Sequence, residues 1–424
     1  MGSILRRVRK RKRRLGAVEV VARAEYTGLE LDAKVELIRG LIPLGLMHVQ
    51  ELLDEEVVAL AGARHARHDG AVGTRHGTNP GTVRLAGQRM AVRVPRVRGA
   101  AGEIPLRSYQ ALHESGEVNE RLLRRVLYGI SCRNYEAAAE AIPGALGLSS
   151  STVSREFVVA SREQLRSFQE RELSGERYVG LFLDGKTFAD ATLVIAMGVT
   201  ERGEKRFLGF VETDTENEKV LTPFLRSLLE RGLDISHGVL VVIDGGKGLR
   251  AAVKQVLQKR AAVQRCQWHK RENVVGYLAK GEQAAWHRRL QWAYNRPTYT
   301  EARKALLGLH RELEERNQSA AASLAEGLEE TLTLHRLGVY AVLGRSFKTT
   351  NCLESVNALV EERCAKVDAW KSSQQRHRWL ATALLDIEPR LRRVMGHRHL
   401  PKLQEALQRE LKIKSQAVRQ KKAA

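Results

Sequence analysis

The chain has 424 residues, enough for two to four domains and a sizeable core. It carries 71 Lys and Arg against 49 Asp and Glu, a formal charge of +22. That excess predicts a polyanionic partner, nucleic acid rather than membrane, because no apolar run approaches the roughly 20 residues of a spanning helix. The basic start MGSILRRVRKRKRR has no apolar run behind it, and Arg6 occupies the position a myristoylation signal reserves for Ser or Thr, so no export or lipid signal is read. Cys132, Cys266, Cys352 and Cys364 lack paired spacing, which predicts a reduced, cytoplasmic chain. Aromatics at 5% are too few for a single-strand stacking platform.

Residues 1–125 read as a basic N-terminal DNA-binding region. Arg6, Arg7, Arg9, Lys10, Arg11, Lys12, Arg13 and Arg14 lie almost side by side. They predict a solvated, disordered tail, or an arm that orders on DNA by neutralising phosphates. Residues 31–68 have a helical pattern that Pro43 divides into two or more helices. Over 69–110 the apolar Val83, Leu85, Met90, Val92, Val94 and Val97 alternate with Arg84, Arg89, Arg93, Arg96 and Arg98, and Ala86-Gly87-Gln88 reads as a turn. This is a small β hairpin with one apolar face. An ordinary amphipathic hairpin would show mixed charge, whereas the one-sign face here predicts contact with the DNA backbone through Arg93 and Arg96.

Residues 126–172 read as a helix-turn-helix. A helical stretch, Asn134–Ala141, breaks at Pro143-Gly144, and a Gly147-Leu148-Ser149 turn leads to a further helix that Ser149 or Ser150 can cap. The first residues of that helix, Ser151, Thr152, Ser154 and Arg155, are those a recognition helix offers to the major groove. A plain helical hairpin shares the pattern.

Residues 176–270 hold short apolar runs bounded by Gly, Asp and charge, which read as strands. Val179–Leu183 stops on Asp184-Gly185. Leu193–Val199 and Phe207–Val211 are joined by the turn Glu201-Arg202-Gly203-Glu204. After a helical stretch, Asn217–Leu233, the run Val239–Ile243 stops on Asp244-Gly245. A helix over Gly248–Lys259, a short strand Ala261–Val263 and Arg265-Cys266-Gln267-Trp268-His269-Lys270 follow. Three strands, a helix and a further strand open a ribonuclease H-like α/β core. Asp184 and Asp244 then sit at exposed ends of neighbouring strands, the rigid and solvated placement a metal site needs. Lys186 and Lys247 follow the two acids and join the DNA-contacting set. Asp190, Glu212 and Asp214 border less apolar runs and rank lower.

Residues 271–343 are helical throughout, as in Glu301–Leu307 and His310–Glu315, and too long for a structureless loop, so they read as an inserted α-helical domain. Trp286, Trp292, Tyr294 and Arg288–Arg289 can stack on an unpaired base or pack the domain's own core; Trp292 is taken as a DNA contact. Over 344–395, Thr349 or Thr350 caps a helix from Asn351 that sets Asn351, Glu354 and Asn357 on roughly one face. Residues 396–424 form a basic tail, helical at first.

Asp184, Asp244 and Glu354 make a three-carboxylate set whose mutual repulsion divalent cations relieve. Mg²⁺ or Mn²⁺, as two ions roughly 4 Å apart, suits phosphodiester displacement. Cys266 and His269 could touch DNA or form a buried pair; a closed zinc site needs four ligands and no other pair has the spacing.

The segments LFLDGKTF, VVIDGGKGL, QRCQWHKRENV and TTNCLESVN, in this order, resemble the Mutator-like transposases of bacterial insertion sequences. The resemblance runs from the helix-turn-helix region to about residue 385. It implies a DDE-type transposase with a ribonuclease H-like core and a helical insertion before the last acid. The family's two Asp positions fall on Asp184 and Asp244, and its Glu on Glu354. The Cys-x-x-His signature falls on Cys266 and His269, and the Asn-rich glutamate helix on Asn351 and Asn357. Arg271 departs from the pattern, with Glu272 between it and Asn273. Such an enzyme acts on double-stranded DNA, the transposon ends and the target, as a homodimer in the synaptic complex. A non-catalytic DNA-binding regulator and a nuclease of the same fold are the rival readings.

Overall fold

The structure, a computed structural model, describes residues 3–7, 18–22, 48–64, 70–85, 88–113, 126–128, 150–188, 191–213, 217–365 and 367–413. The chain divides into two units, Met1–Ala160 and Ser161–Ala424.

In the first unit, β1 (Ser3–Arg7) pairs antiparallel with β2 (Val18–Ala22), Ile4 opposite Val21 and Leu5 opposite Val20. Part of the expected tail is therefore a strand: aliphatic residues on both sides of the pair favour the sheet despite the flanking arginines. Helix α1 (48–61) buries Val49, Leu53 and Val57 at helical spacing. They pack on Val83 of β3 (Thr74–Leu85), on Met90 and Val97 of β4 (Gln88–Gly99), and on Leu106. The expected hairpin is present, and a short third strand, β5 (Gly102–Ile104), extends it, Val97 opposite Ile104. Gly102, at φ 122, makes the reversal that a side chain would strain. Glu103 on β5 accepts both Arg96 Nε at 2.8 Å and Arg96 Nη2 at 2.7 Å. The arginine face therefore carries mixed charge, contrary to the one-sign face that the alternation alone predicts. Helix α2 (Arg107–His113) follows, its start held by Glu56, which accepts the backbone N–H groups of Arg107 and Ser108. The Pro43 break, the turn at residues 86–87, and the first helix and turn of the expected helix-turn-helix (134–149) lie outside the described residues. Helix α3 (Ser150–Glu170) begins where the recognition helix of that motif is expected.

The other unit is built on a five-stranded sheet. Its strands are β6 (Tyr178–Phe188), β7 (Ala191–Thr200), β8 (Lys205–Thr213), β9 (Val239–Ile243) and β10 (Ala261–Arg265), in the order β10-β9-β6-β7-β8. β6, β7 and β8 form an antiparallel meander, and β9 and β10 run parallel to β6. Helix α4 (Glu218–Glu230), capped by Asn217 on the Lys219 N–H at 2.9 Å, connects β8 to β9, and α5 (Lys247–Leu257) connects β9 to β10. Both helices cover one face, where Leu221, Leu225, Leu249 and Val253 meet Leu181, Leu183, Val194, Val241 and Ile243. Because strand side chains alternate, Phe182 takes the other face and stacks on Phe347, ring centroids 5.4 Å apart.

One expected limit shifts. β6 does not stop at Asp184: it runs on to Phe188, paired with β7 down to Phe188↔Ala191. The hairpin partner keeps the backbone extended past the point where the parallel pairing with β9 ends, at Leu183↔Ile243.

From β10 the chain enters a helical region with no strand over 271–343. It comprises α6 (Gln267–Val275), α7 (Lys280–Tyr294), α8 (Tyr299–Arg316), α9 (Gln318–Ala325), α10 (Leu328–Thr331), α11 (Thr333–Arg336) and α12 (Tyr340–Phe347). α8 opens with a capping box between Thr298 and Glu301. The region has its own core, in which Trp286, Leu290, Ala293 and Tyr294 of α7 pack with Leu306, Leu309 and Leu313 of α8 and Leu324 of α9. It also closes the open edge of the sheet. Buried Gln264 donates to the Thr331 carbonyl at 2.8 Å and accepts the Leu334 N–H at 2.9 Å, while Thr333 donates to the Val263 carbonyl at 2.6 Å. Helices α13 (Asn351–Cys364), α14 (Ser373–Ile387) and α15 (Leu400–Glu410) complete the unit.

Candidate active site

Asp184 follows Leu183, and Asp244 follows Ile243, at the end of the parallel register of β6 and β9. Leu183 and Ile243 both point to the α4/α5 face. By alternation the two acids belong to the opposite face, the one Phe182 shares with Phe347. Asp184 is buried, at 6% exposure, and Asp244 is half-buried. The Asp244 carboxylate accepts the Gly246 N–H at 2.9 Å, which turns the chain sharply after β9. Gly245 lies at φ 116, and the Arg265 guanidinium lies so close against it that no Cβ would fit.

The third acid arrives from the far side of the insertion. The Gln267 N–H donates to the Lys348 carbonyl at 2.9 Å, and the Cys266 N–H to the Ile243 carbonyl at 2.7 Å. Thus the end of β9, the start of α6 and the start of α13 are tied together. Thr350 is the residue before α13, but its hydroxyl does not cap the helix. It donates instead to Cys266 Sγ at 3.7 Å and lies 3.5 Å from His269 Nδ1. The other ring nitrogen, His269 Nε2, is 4.0 Å from Glu354 Oε1. Burial would lower the His269 pKa, but its hydrogen bond to Cys266, the Cys266 charge and the charges of Asp184 and Asp244 outweigh this and raise it to about 9. Glu354 Oε1 is buried and accepts no hydrogen bond. Among the described residues, no three His, Cys, Asp or Glu side chains are grouped as they stand in the manner of a metal cage. Cys266, Cys352 and Cys364 are free thiols, and burial pushes Cys364 up to about 12, far from a reactive thiolate.

The family model described as Transposase, Mutator family, matches residues 15–391. The chain belongs to the Mutator family of transposases. It is 26% identical over 316 residues to the transposase for insertion sequence element IS256 in transposon Tn4001 of Staphylococcus aureus, covering 70% of this chain and 77% of that protein. It is 28% identical over 333 residues to the transposase for insertion sequence element IS406 of Burkholderia multivorans, covering 74% and 82%. It is 27% identical over 281 residues to the transposase for insertion sequence element IS6120 of Mycolicibacterium smegmatis, covering 65% and 85%.

The other residues singled out in the sequence of this transposase fall in several places. Lys186 is taken up by Glu361 of α13 at 2.6 Å, and Lys247 is exposed at the start of α5. Asn351 is exposed at the start of α13, whereas Asn357 is buried two turns on. Ser151, Ser154 and Arg155 are exposed on the first turns of α3, and the Thr152 side chain lies outside the described residues. Arg93 and Arg96 line a concavity of about 670 Å³ beside α1 with Arg64 and Arg75. Trp292 is 58% exposed, with the Arg296 guanidinium 3.3 Å over its ring. Trp286 and Tyr294 are core residues of the insertion, at 3% and 2%, and Arg289 stacks on the Trp286 ring while bonded to Glu312. Glu212, a lower-ranked acid, is held by Arg376 at 2.6 Å, His377 at 2.8 Å and Ser373 at 2.9 Å. Asp190 and Asp214 lie outside the described residues. Sequence reasoning missed two groups, Arg265 and the Thr350 hydroxyl as a partner of His269. A buried Arg beside a motif Cys is the signal for Arg265. Thr350 carries no such signal, because in sequence it has the form of an ordinary helix cap. No described helix is long and apolar enough to cross a membrane.

Proposed function

We propose that this chain is a DDE-type transposase with a ribonuclease H-like catalytic core. It binds the terminal inverted repeats of its element and cleaves and joins DNA as a homodimer. The strand order β10-β9-β6-β7-β8, with an antiparallel meander and two parallel strands, supports that core. The reading rests on one observation: Asp184 and Asp244 follow the last paired residues of β6 and β9 on one side of the sheet, and His269 at the start of α6 lies 4.0 Å from Glu354 Oε1. The donor set fits a hard divalent cation, since it is all carboxylate oxygen and includes a buried Oε1 that no donor satisfies. Asp184, Asp244 and Glu354 would hold Mg²⁺ or Mn²⁺, two ions that, when bound, activate the attacking oxygen and stabilise the leaving one.

The chain's own groups set the stage for this chemistry. The two strands fix Asp184 and Asp244 in the same register. Thr350 and Cys266 orient His269, which keeps a positive group beside Glu354. The 3′-hydroxyl of the DNA attacks the target phosphodiester directly, so no Ser or Tyr nucleophile takes part. Ser151, Thr152, Ser154 and Arg155, together with Arg93, Arg96, Lys247 and Trp292, are the proposed DNA contacts. Glu354→Gln keeps the shape and removes the charge. It should abolish end cleavage and strand transfer while leaving terminal-repeat binding unchanged. Strand transfer that survives this substitution overturns the assignment.

A further inference from the structure

Strand side chains alternate, so Phe182, Asp184, Lys186 and Phe188 share one face of β6. Along that face the strand meets successive parts of the chain around α13. Phe182 stacks on Phe347 of α12, ring centroids 5.4 Å apart. Lys186 Nζ lies 2.6 Å from Glu361 Oε1 of α13. The Phe188 ring lies against Trp370, beyond α13, centroids 4.8 Å apart. As β6 advances from 182 to 188, its partners advance from 347 to 370, so α13 runs along the strand in the same direction. Asp184 is midway between Phe182 and Lys186, and Glu354 is midway between Phe347 and Glu361. On α13, Glu354 and Glu361 are one heptad apart, which rotates them by only about 20°, so they share a helix face. The contacts on either side therefore set Glu354 against Asp184.

The two ring contacts press this segment onto β6, but apolar contact has no preferred direction and tolerates sliding. A charged contact as short as 2.6 Å does not, because it weakens once its two atoms part. Among the described residues, Lys186–Glu361 is the ion pair that joins β6 to α13. It stands one same-face step from Asp184, about 7 Å along the strand, and two turns from Glu354, about 10 Å along the helix. The side chains of the pair are 33% and 60% exposed, so it adds little to overall stability. We infer that Lys186 and Glu361 are positioning residues, whose ion pair fixes the register of α13 on β6 and so holds Glu354 opposite Asp184 for the cation both would bind. This rests on the reading of Asp184, Asp244 and Glu354 as the metal-holding acids. It gives Lys186 a role inside the protein in place of the DNA contact expected from sequence.

The test reads cation binding, with no cleavage step. Mn²⁺ is titrated into the full-length protein without DNA, and free Mn²⁺ is followed by electron paramagnetic resonance. For Lys186→Met, simple electrostatics and positioning predict opposite signs. Removing a positive charge beside three carboxylates should by itself tighten Mn²⁺ binding. Loss of the register contact should instead weaken it about two- to fivefold, the range an ion pair this exposed can contribute. Glu361→Gln should weaken it by a similar factor, and the exchanged pair, Lys186→Glu with Glu361→Lys, should recover most of the loss. Thermal unfolding without Mn²⁺ should be alike in all of these proteins. Tighter or unchanged Mn²⁺ binding in Lys186→Met overturns the inference, and so does an exchanged pair that binds no better than the single variants. Unchanged Mn²⁺ binding with weakened terminal-repeat binding overturns it too, and returns Lys186 to the DNA contacts. Asp184→Asn tells the two readings apart. If it loses Mn²⁺ binding while Lys186→Met and Glu361→Gln keep theirs, only the positioning role fails. If it behaves as the unaltered protein does, the acid assignment fails and takes the positioning role with it.

Discussion

Gly245→Ala is the most revealing single substitution in the sheet. Gly245 sits at φ 116, a region that L side chains rarely adopt, and holding Ala there costs on the order of 1–3 kcal/mol. A Cβ would also overlap Arg265 Nε and come within 2.5 Å of its Cζ. Arg265 is 5% exposed and donates to the Glu326 carbonyl at 3.1 Å, with Glu326 Oε2 at 3.6 Å. Driving it away removes a charged hydrogen bond worth about 1.5–3 kcal/mol. The sum is about 2.5–6 kcal/mol, and at about 2–4 °C per kcal/mol for a unit of this size, Tm should fall by roughly 5–20 °C. Arg265→Ala alone also destabilises. In that background Gly245→Ala should cost only the backbone part, so a double-mutant cycle by thermal unfolding should give a coupling of about 1.5–3 kcal/mol. A cycle that is additive to within about 0.5 kcal/mol refutes the reasoning, because it means the guanidinium and the turn do not press on each other.

The two tryptophans of α7 should separate cleanly. Trp286→Ala, in the core, should lose about 3–5 kcal/mol in denaturant unfolding, whereas Trp292→Ala should leave Tm unchanged and slow end cleavage; an equal loss of stability at Trp292 removes it from the DNA-contact set. His335 should make the protein acid-sensitive. Burial lowers its pKa to about 4, and its Nε2 lies 3.1 Å from the Tyr294 and Arg296 carbonyls, while Nδ1 is buried without a partner. The unfolded chain takes up this proton first, so the stability is full above about pH 6.5 and falls, by at most about 3 kcal/mol, as pH drops toward 4. Tm measured against pH should lose this component in His335→Gln; an unchanged difference across that window counts against it.

Much of the sheet-bearing unit was legible because its strands are short apolar runs between Asp, Gly and charge; the end of β9 falls just before Asp244, whereas Asp184 lies inside the longer β6. Val239–Ile243 is the same in sequence and structure. The continuation of β6 through Lys186 and Thr187 was not legible. It depends on pairing with Leu193 and Thr192 of β7, and the segment itself has no apolar run. For the same reason β5 went unseen: its three residues, Gly102 to Ile104, acquire strand character only from Val97 to Gly99 opposite. In α7, spacing pointed to one ring-bearing helix but not to which rings face inward. Trp286, Leu290, Ala293 and Tyr294 share the buried stripe, and Trp292 falls outside it. The Thr350 hydroxyl shows a different limit. A Thr before a helix is a good cap by local rules, yet a buried Cys and a His more than 80 positions back in the chain compete for it and win.

The independent core of the insertion bears on the order in which the chain can fold. Asp244 and Glu354 are 110 positions apart, and joining them through a flexible chain carries a closure entropy that grows with the logarithm of that length. The helices from α6 to α11 pack mostly on near neighbours in sequence, the kind of local structure that forms quickly. Once formed, they turn that long tether into a short, stiff bridge and recover about 1 kcal/mol of closure entropy if the effective loop shrinks to a quarter. The α/β sheet can thus position its two aspartates first, while the glutamate joins only after a finished helical body delivers α13. A nascent chain stalled before residue 351 would then have a folded sheet carrying Asp184 and Asp244 but not yet Glu354.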